Sequence, residues 1–195
     1  MRAIRRDVVI LPDGDGGAEV DELLRVHNAR GVTLVSDGQP TWEFRLPEGA
    51  GAFEVGEGEI SGDAVMRKGD RVLVTGSLTP GSHELFIRYR IPRDARRTAF
   101  PLTAGTDSMN VLVRQPSAKA TVAGFAEPRP VEADGEKFLR YSGARLGARR
   151  EVVVEWDRPM SSPVDPRIAA VVAMGLVLAG GAGLAARRGS RSATS

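Results

Sequence analysis

The sequence predicts an all-β fold, an antiparallel β-sandwich followed by one C-terminal transmembrane α-helix, and three observations carry that prediction. Apolar and polar residues alternate through most of residues 20–157, which is the period of a strand with one buried face. Turn signals such as SDGQP and TPGS interrupt the alternation at short intervals, and no convincing amphipathic helix stands between them. Residues 168–186, IAAVVAMGLVLAGGAGLAA, then run for nineteen residues without a charge, an amide or a hydroxyl, and end at Arg187 and Arg188. A helix of that length rises about 28 Å, close to the hydrocarbon thickness of a bilayer.

The elements follow in order. The start, MRAIRRDVVILPDGDGG, has the positive charges of a secretory signal but only Val8 to Leu11 as an apolar run, far short of a signal core. In Asp21 to Asn28, Leu24 and Val26 alternate with Leu23, Arg25 and His27, and NARG reads as a hairpin turn into Val32 to Val35. Trp42, Phe44 and Leu46 share one face of the next strand, which Pro47 ends. Phe53 and Val55 give way to GEGE, where Gly56 and Gly58 suggest a bulge.

The clearest expected strand pair is Arg71 to Leu78 with the strand after TPGS, whose Leu85, Ile87, Tyr89 and Ile91 share a face. Further strands are expected at 98–102, 109–114, 120–125, 138–141 and 151–156. About a dozen short strands make a sandwich, either one large or two small immunoglobulin-like ones. The polar stretch PRDARR at 92–97 is the best internal boundary, separating a first β region, 1–92, from a second, 98–158. Residues 159–167 read as a proline-rich stalk, 168–186 as the membrane helix and 187–195 as an arginine-rich cytoplasmic tail.

The formal charge of +2 and pI near 9.4 invite a nucleic-acid reading. Residues 1–166, however, hold 23 basic and 25 acidic residues, a formal −2, so the basicity belongs to the flanks of the apolar run. The body lacks the electrostatic footprint of a nucleic-acid binder. There is no cysteine, which excludes disulfides, thiolate metal sites and cysteine nucleophiles.

The succession RVHN, SDGQPTWEFRLPEGAGAFEV, LTPGSHELFIRYRIP, MNVLVRQPS and EVVVEW, ahead of a C-terminal helix, resembles a group of bacterial envelope proteins. "LPEGA" and "PGSHELFIRYRIP" are its most specific pieces. The resemblance implies an exported β-sandwich ectodomain of unassigned role on a single C-terminal anchor. It carries no catalytic motif, and this chain departs from it in showing no signal peptide.

Candidate chemistry is sparse. Asp13, Asp15, Glu19 and Asp21 crowd a Gly-rich segment, an oxygen-rich composition that suits calcium, although an ordinary solvated turn uses the same residues. Arg88, Arg90, Arg93, Arg96 and Arg97 form the densest basic patch, a surface for an anionic partner or a solvated sheet face. Gly175, Ala179 and Gly183 recur at spacing four in the apolar run, a stripe that lets two helices approach closely. His27 and His83 lie in different hairpins without short metal-ligand spacing, and Trp42 and Trp156 fall on apolar strand faces.

No cofactor is indicated, and no nucleophile elbow, phosphate loop or dinucleotide fingerprint occurs. The expectation is a non-enzymatic interaction module at the cytoplasmic membrane, its body outside and its partners the lipid bilayer and another envelope protein or itself. The alternatives are an envelope hydrolase that uses carboxylates, and a protein whose C-terminal helix is a cleaved sorting tail.

Overall fold

The computed structural model describes residues 1–13, 16–92, 97–115 and 120–156. Regular structure among them is all strand except a 3-10 turn at Gly62–Ala64. The strands in chain order are β1 (Arg2–Pro12), β2 (Ala18–Asn28), β3 (Trp42–Arg45), β4 (Gly51–Val55), β5 (Val65–Lys68), β6 (Arg71–Val74) and β7 (Gly81–Ile91). After them come β8 (Arg97–Leu102), β9 (Thr106–Arg114), β10 (Ala120–Val122), β11 (Arg129–Ala133), β12 (Glu136–Leu146) and β13 (Arg150–Trp156).

They form a seven-stranded sheet in the order β11-β12-β9-β1-β2-β7-β4 and two three-stranded sheets, β10-β13-β8 and β3-β6-β5. One apolar cluster joins all three. Val8, Ile10, Val20, Leu24, Val26, Leu85, Ile87, Met109 and Val111 come from the inner face of the large sheet. Phe100, Val152 and Val154 come from one small sheet, and Trp42, Phe44, Val72 and Val74 from the other. Burial of this kind, at about 25 cal/mol per Å² of apolar surface, is the main favourable term in folding such a domain. The cluster and the large sheet both draw on residues either side of 92–97.

Three features depart from the expectation. The N-terminal stretch is the central strand β1, whose last residues are buried on both faces: Val8 and Ile10 point into the main core, Val9 and Leu11 into a second cluster with Leu112 and Phe138. A short unbroken apolar run is how a doubly covered strand reads in sequence. The sheets are mostly but not wholly antiparallel, because β1 pairs with β9 in parallel, Ala3 opposite Thr106 through Ile10 opposite Val113. Finally, β6 does not pair with β7. It lies between β3 and β5, while β7 lies between β2 and β4, so TPGS carries the chain from one sheet to another.

The Val32 to Val35 strand is also absent; only Leu34 bridges Leu78. Among the described residues no helix is long and apolar enough to cross a membrane. The 159–167 stalk, the 168–186 run with Gly175, Ala179 and Gly183, and the 187–195 tail lie outside the described residues.

Register fixes the two ends of the sandwich. Leu146, Thr106, Ala3 and Val26 line up across one end of the large sheet, next to the β2 terminus at Asn28 and the start of β7 at Gly81. At the opposite end Pro12 faces Ala18, Ala18 faces Ile91, and β13 finishes with Trp156 beside Ala120. Trp156, the last described residue, therefore lies at the end remote from Asn28.

Candidate functional site

The outer face of the large sheet brings together two groups of residues that the sequence presents as separate sites. Alternation on β2 puts Glu19 and Asp21 on one face, and register sets Glu19 opposite Arg90 and Asp21 opposite Arg88 on β7. The Arg88 guanidinium donates to both Asp21 carboxylate oxygens, Nε to Oδ1 at 2.7 Å and Nη2 to Oδ2 at 3.1 Å, the two-pronged geometry that suits guanidinium and carboxylate. Its Nε also lies 3.3 Å from Glu19 Oε1. Asp21 is fully buried beneath this pair.

Asp13 closes the β1–β2 turn. The Gly17 amide donates to Asp13 Oδ1 at 2.9 Å and the Asp13 amide to the Gly17 carbonyl at 3.0 Å, a use of Asp that favours turns for their own sake. Arg90 donates to the other carboxylate oxygen of Asp13. Asp13, Glu19 and Asp21, suggested for calcium, and Arg88 and Arg90, suggested for an anionic partner, are thus each other's partners. Among the described residues no group of three or more His, Asp or Glu is arranged to hold a metal ion.

Asp15, Arg93 and Arg96 lie outside the described residues. Arg97, at the start of β8, pairs with Glu155 at 3.3 Å on an exposed surface, where such a pair contributes little.

Burial pushes the Glu19 carboxyl above its ordinary range; Arg88 pulls it down, and Asp21 adds to the rise. The Arg88 guanidinium is held above its ordinary value, first by the hydrogen bond to Asp21.

A second constellation, missed by period-two reading, occupies the interior. Arg6 of β1 and Glu22 of β2 point into the main core, where apolar residues are expected. Arg6 Nε donates to Glu22 Oε1 at 2.5 Å, and the Tyr89 hydroxyl donates to Glu22 Oε2 at 2.9 Å. Arg6 Nη1 donates to the Pro101 carbonyl at 2.7 Å and the guanidinium lies over the Phe100 ring, 5.8 Å from its centroid. The group therefore links β1, β2 and β7 of the large sheet to β8 of a small one.

Glu22 and Tyr89 are fully buried and Arg6 is 3% exposed, with Arg6 Nη2 lacking a hydrogen-bond partner. Burial opposes the charged form of Arg6, and Glu22 and Tyr89 more than offset it, so its pKa is raised. The Tyr89 hydroxyl is pushed well above its ordinary value by burial and then by the Glu22 charge. Arg6 therefore stays a guanidinium cation and Tyr89 a neutral phenol across the physiological range. The one signal that could have flagged it is the presence of Arg6 and Glu22 in phase with the apolar positions Val8, Ile10, Val20 and Leu24.

The remaining candidates are engaged in structure. His83 Nε2 lies 2.8 Å from the Thr79 carbonyl, and His27 Nδ1 lies 3.3 Å from Ser82 Oγ. Trp42 stacks on Phe44 with ring centroids 4.8 Å apart, both buried in the core.

The class these features define is an all-β sandwich whose buried charged groups are paired within the fold. No family model matches the chain, and no curated protein matches it. Among solved structures it is similar to a protein of Parabacteroides distasonis assigned as a protease, with 10% identity and a TM-score of 0.47 over 81% of this chain and 40% of that one. It is similar to an M1 zinc metallopeptidase of Deinococcus radiodurans, with 16% identity and a TM-score of 0.47 over 79% and 42%. A yeast delta-COP-I mu-homology domain aligns with 8% identity and a TM-score of 0.24 over 84% and 76%. The chain spans about two fifths of the length of the first two structures, and none of the three reaches a TM-score of 0.5.

Proposed function

We propose that the chain is a non-enzymatic β-sandwich interaction module, tethered to the bacterial cytoplasmic membrane by residues 168–186 with its body on the extracytoplasmic side. The observation that carries this reading is the order of parts at the C-terminal side. Strand β13 ends at Trp156, a proline-bearing stretch follows in the sequence, and then nineteen residues without a polar side chain end at paired arginines. The internal pairing of Asp13, Asp21, Arg88 and Arg90 supports a scaffold role for those groups over a catalytic one.

The test is fractionation in a bacterial host of the whole chain and of a chain ending at Arg158. The whole chain should resist alkaline carbonate extraction, and the shortened one should not pellet with membranes. Protease added to spheroplasts should digest the body. Extraction of the whole chain by carbonate, or a body protected in spheroplasts, would sink the proposal.

A further inference from the structure

We infer that the end of the sandwich remote from Trp156 is a docking surface for an acidic polypeptide segment, an inference that rests on the interaction-module reading above. Two independent observations fall at that end, on strands β12 and β2, which lie three strand spacings or about 14 Å apart across the large sheet. The first is the turn between β12 and β13. Arg145, Arg149 and Arg150 are exposed there, and none has a carboxylate partner among the described residues, whereas Arg88, Arg90 and Arg97 of the arginine-rich 88–97 segment each have one.

Two of the three also hold a backbone that arginine seldom takes. Arg145 has φ 54° and Arg149 φ 57°, a left-handed region that glycine enters freely and residues with a Cβ do not. Gly147 stands between them, and its φ is not positive. The turn thus places guanidinium groups, not glycine, at its two strained positions.

The second observation is the loop after β2. Asn28, buried at the end of the strand, donates through Nδ2 to the carbonyls of Val32 and Leu78, each at 3.0 Å, and accepts from the Arg30 amide at 3.0 Å. Leu34 and Leu78 exchange two backbone hydrogen bonds of 2.9 Å, and Leu34 packs on the core. With Leu34 pinned inward, Val32 and Val35 are held out, 63% and 65% exposed.

A rigid loop that displays apolar side chains loses little entropy when it binds. Guanidinium groups free of carboxylates recognise carboxylates in paired geometry. Exposed valines favour a polypeptide, which has apolar side chains to cover them, over a bare polyanion. Distance from Trp156, the residue nearest in sequence to the proposed anchor among those described, favours a protein over the membrane.

Full-length protein in detergent micelles is titrated with a short fluorescein-labelled peptide of Asp-Leu-Glu repeats and read by anisotropy. R145G/R149G should weaken binding by about tenfold or more, a loss of about 1.4 kcal/mol or more. Because glycine relieves both backbone positions, its melting temperature should not fall. V32S/V35S should weaken binding by about threefold, and R129Q, which removes one arginine charge, unpaired among the described residues, from edge strand β11, should leave it unchanged.

An unchanged Kd in R145G/R149G, or an equal loss in R129Q, overturns the inference. So does displacement by inorganic polyphosphate that is blind to the valine changes, which would mark a polyanion site, or binding to phosphatidylglycerol vesicles that the arginine changes abolish. Micelles separate this outcome from the tether. Peptide binding by a chain that carbonate extracts rejects the anchor alone, and no binding by a chain that resists extraction rejects the docking surface alone.

Discussion

Replacing Glu22 with Gln should cost about 3–5 kcal/mol of unfolding free energy, because it strands the Arg6 guanidinium in the core. The attraction that is lost amounts to about 4 kcal/mol for charges about 4 Å apart at an effective dielectric constant of about 20. Arg6 has little else to lean on: one bond to the Pro101 carbonyl, the Phe100 ring, and an Nη2 already without a partner. Domains of this kind are stable by only about 5–15 kcal/mol, so the loss is a large fraction of the whole.

The reasoning is sharpest when the charges are removed together. R6M/E22L/Y89F keeps the volume, deletes both ions and the hydroxyl they order, and leaves the Pro101 carbonyl as the main orphan at about 1–3 kcal/mol. Removing both desolvation costs offsets that, so the triple variant should lie within about 2 kcal/mol of the parent. The assay is urea unfolding of the full chain in detergent, followed by far-ultraviolet circular dichroism, with equal slopes required before midpoints are compared. A loss below about 1 kcal/mol for E22Q, or a triple variant as unstable as E22Q, would refute the account.

Two further outcomes follow from the outer face. Glu19 has a folded pKa raised by burial, so its contribution favours the fold below the unfolded value of about 4.3 and is lost as pH rises through the folded value. E19Q should therefore melt above the parent near pH 7 and with it near pH 3.5, and a parent more stable than E19Q at neutral pH would contradict this. A Cβ on Gly56 would lie 2.1 Å from Cδ1 of Phe86, across the β4–β7 edge, so G56A should cost about 1–3 kcal/mol. In an F86L background the cost should shrink, as a double-mutant cycle would show; an undiminished cost points to the backbone instead.

Strand alternation was legible wherever one face is apolar and the other wet. Leu85, Ile87, Tyr89 and Ile91 are all fully buried in phase. What was hidden shares a cause: pairings and partners far apart in sequence. Nothing in RAIRRDVVILP announces a partner at Thr106 to Val113, and its arginines disguise a strand as a failed export signal. The assumption that consecutive strands pair, which holds roughly two times in three, misassigned β6 and β7. The acids at 13–21 and the arginines at 88–90 each look like a site when read locally. Only the β2–β7 register shows that Asp21 and Arg88 meet. The basic turn at 145–150 escaped notice because its arginines are no denser than those at 88–97, and pairing, not density, separates them from Arg88, Arg90 and Arg97.

The place of β1 sets a clock on the molecule's birth. Its partner in β2 follows after a five-residue connection, but the other edge of β1 waits for β9. At about 5–20 residues per second the ribosome delivers those roughly hundred intervening residues in about 5–20 s. For all that time the middle of the future sheet is an open edge carrying Val8, Val9, Ile10 and Leu11, and open apolar edges recruit other chains. The first strand in sequence gains its second neighbour only when the ninth has been made.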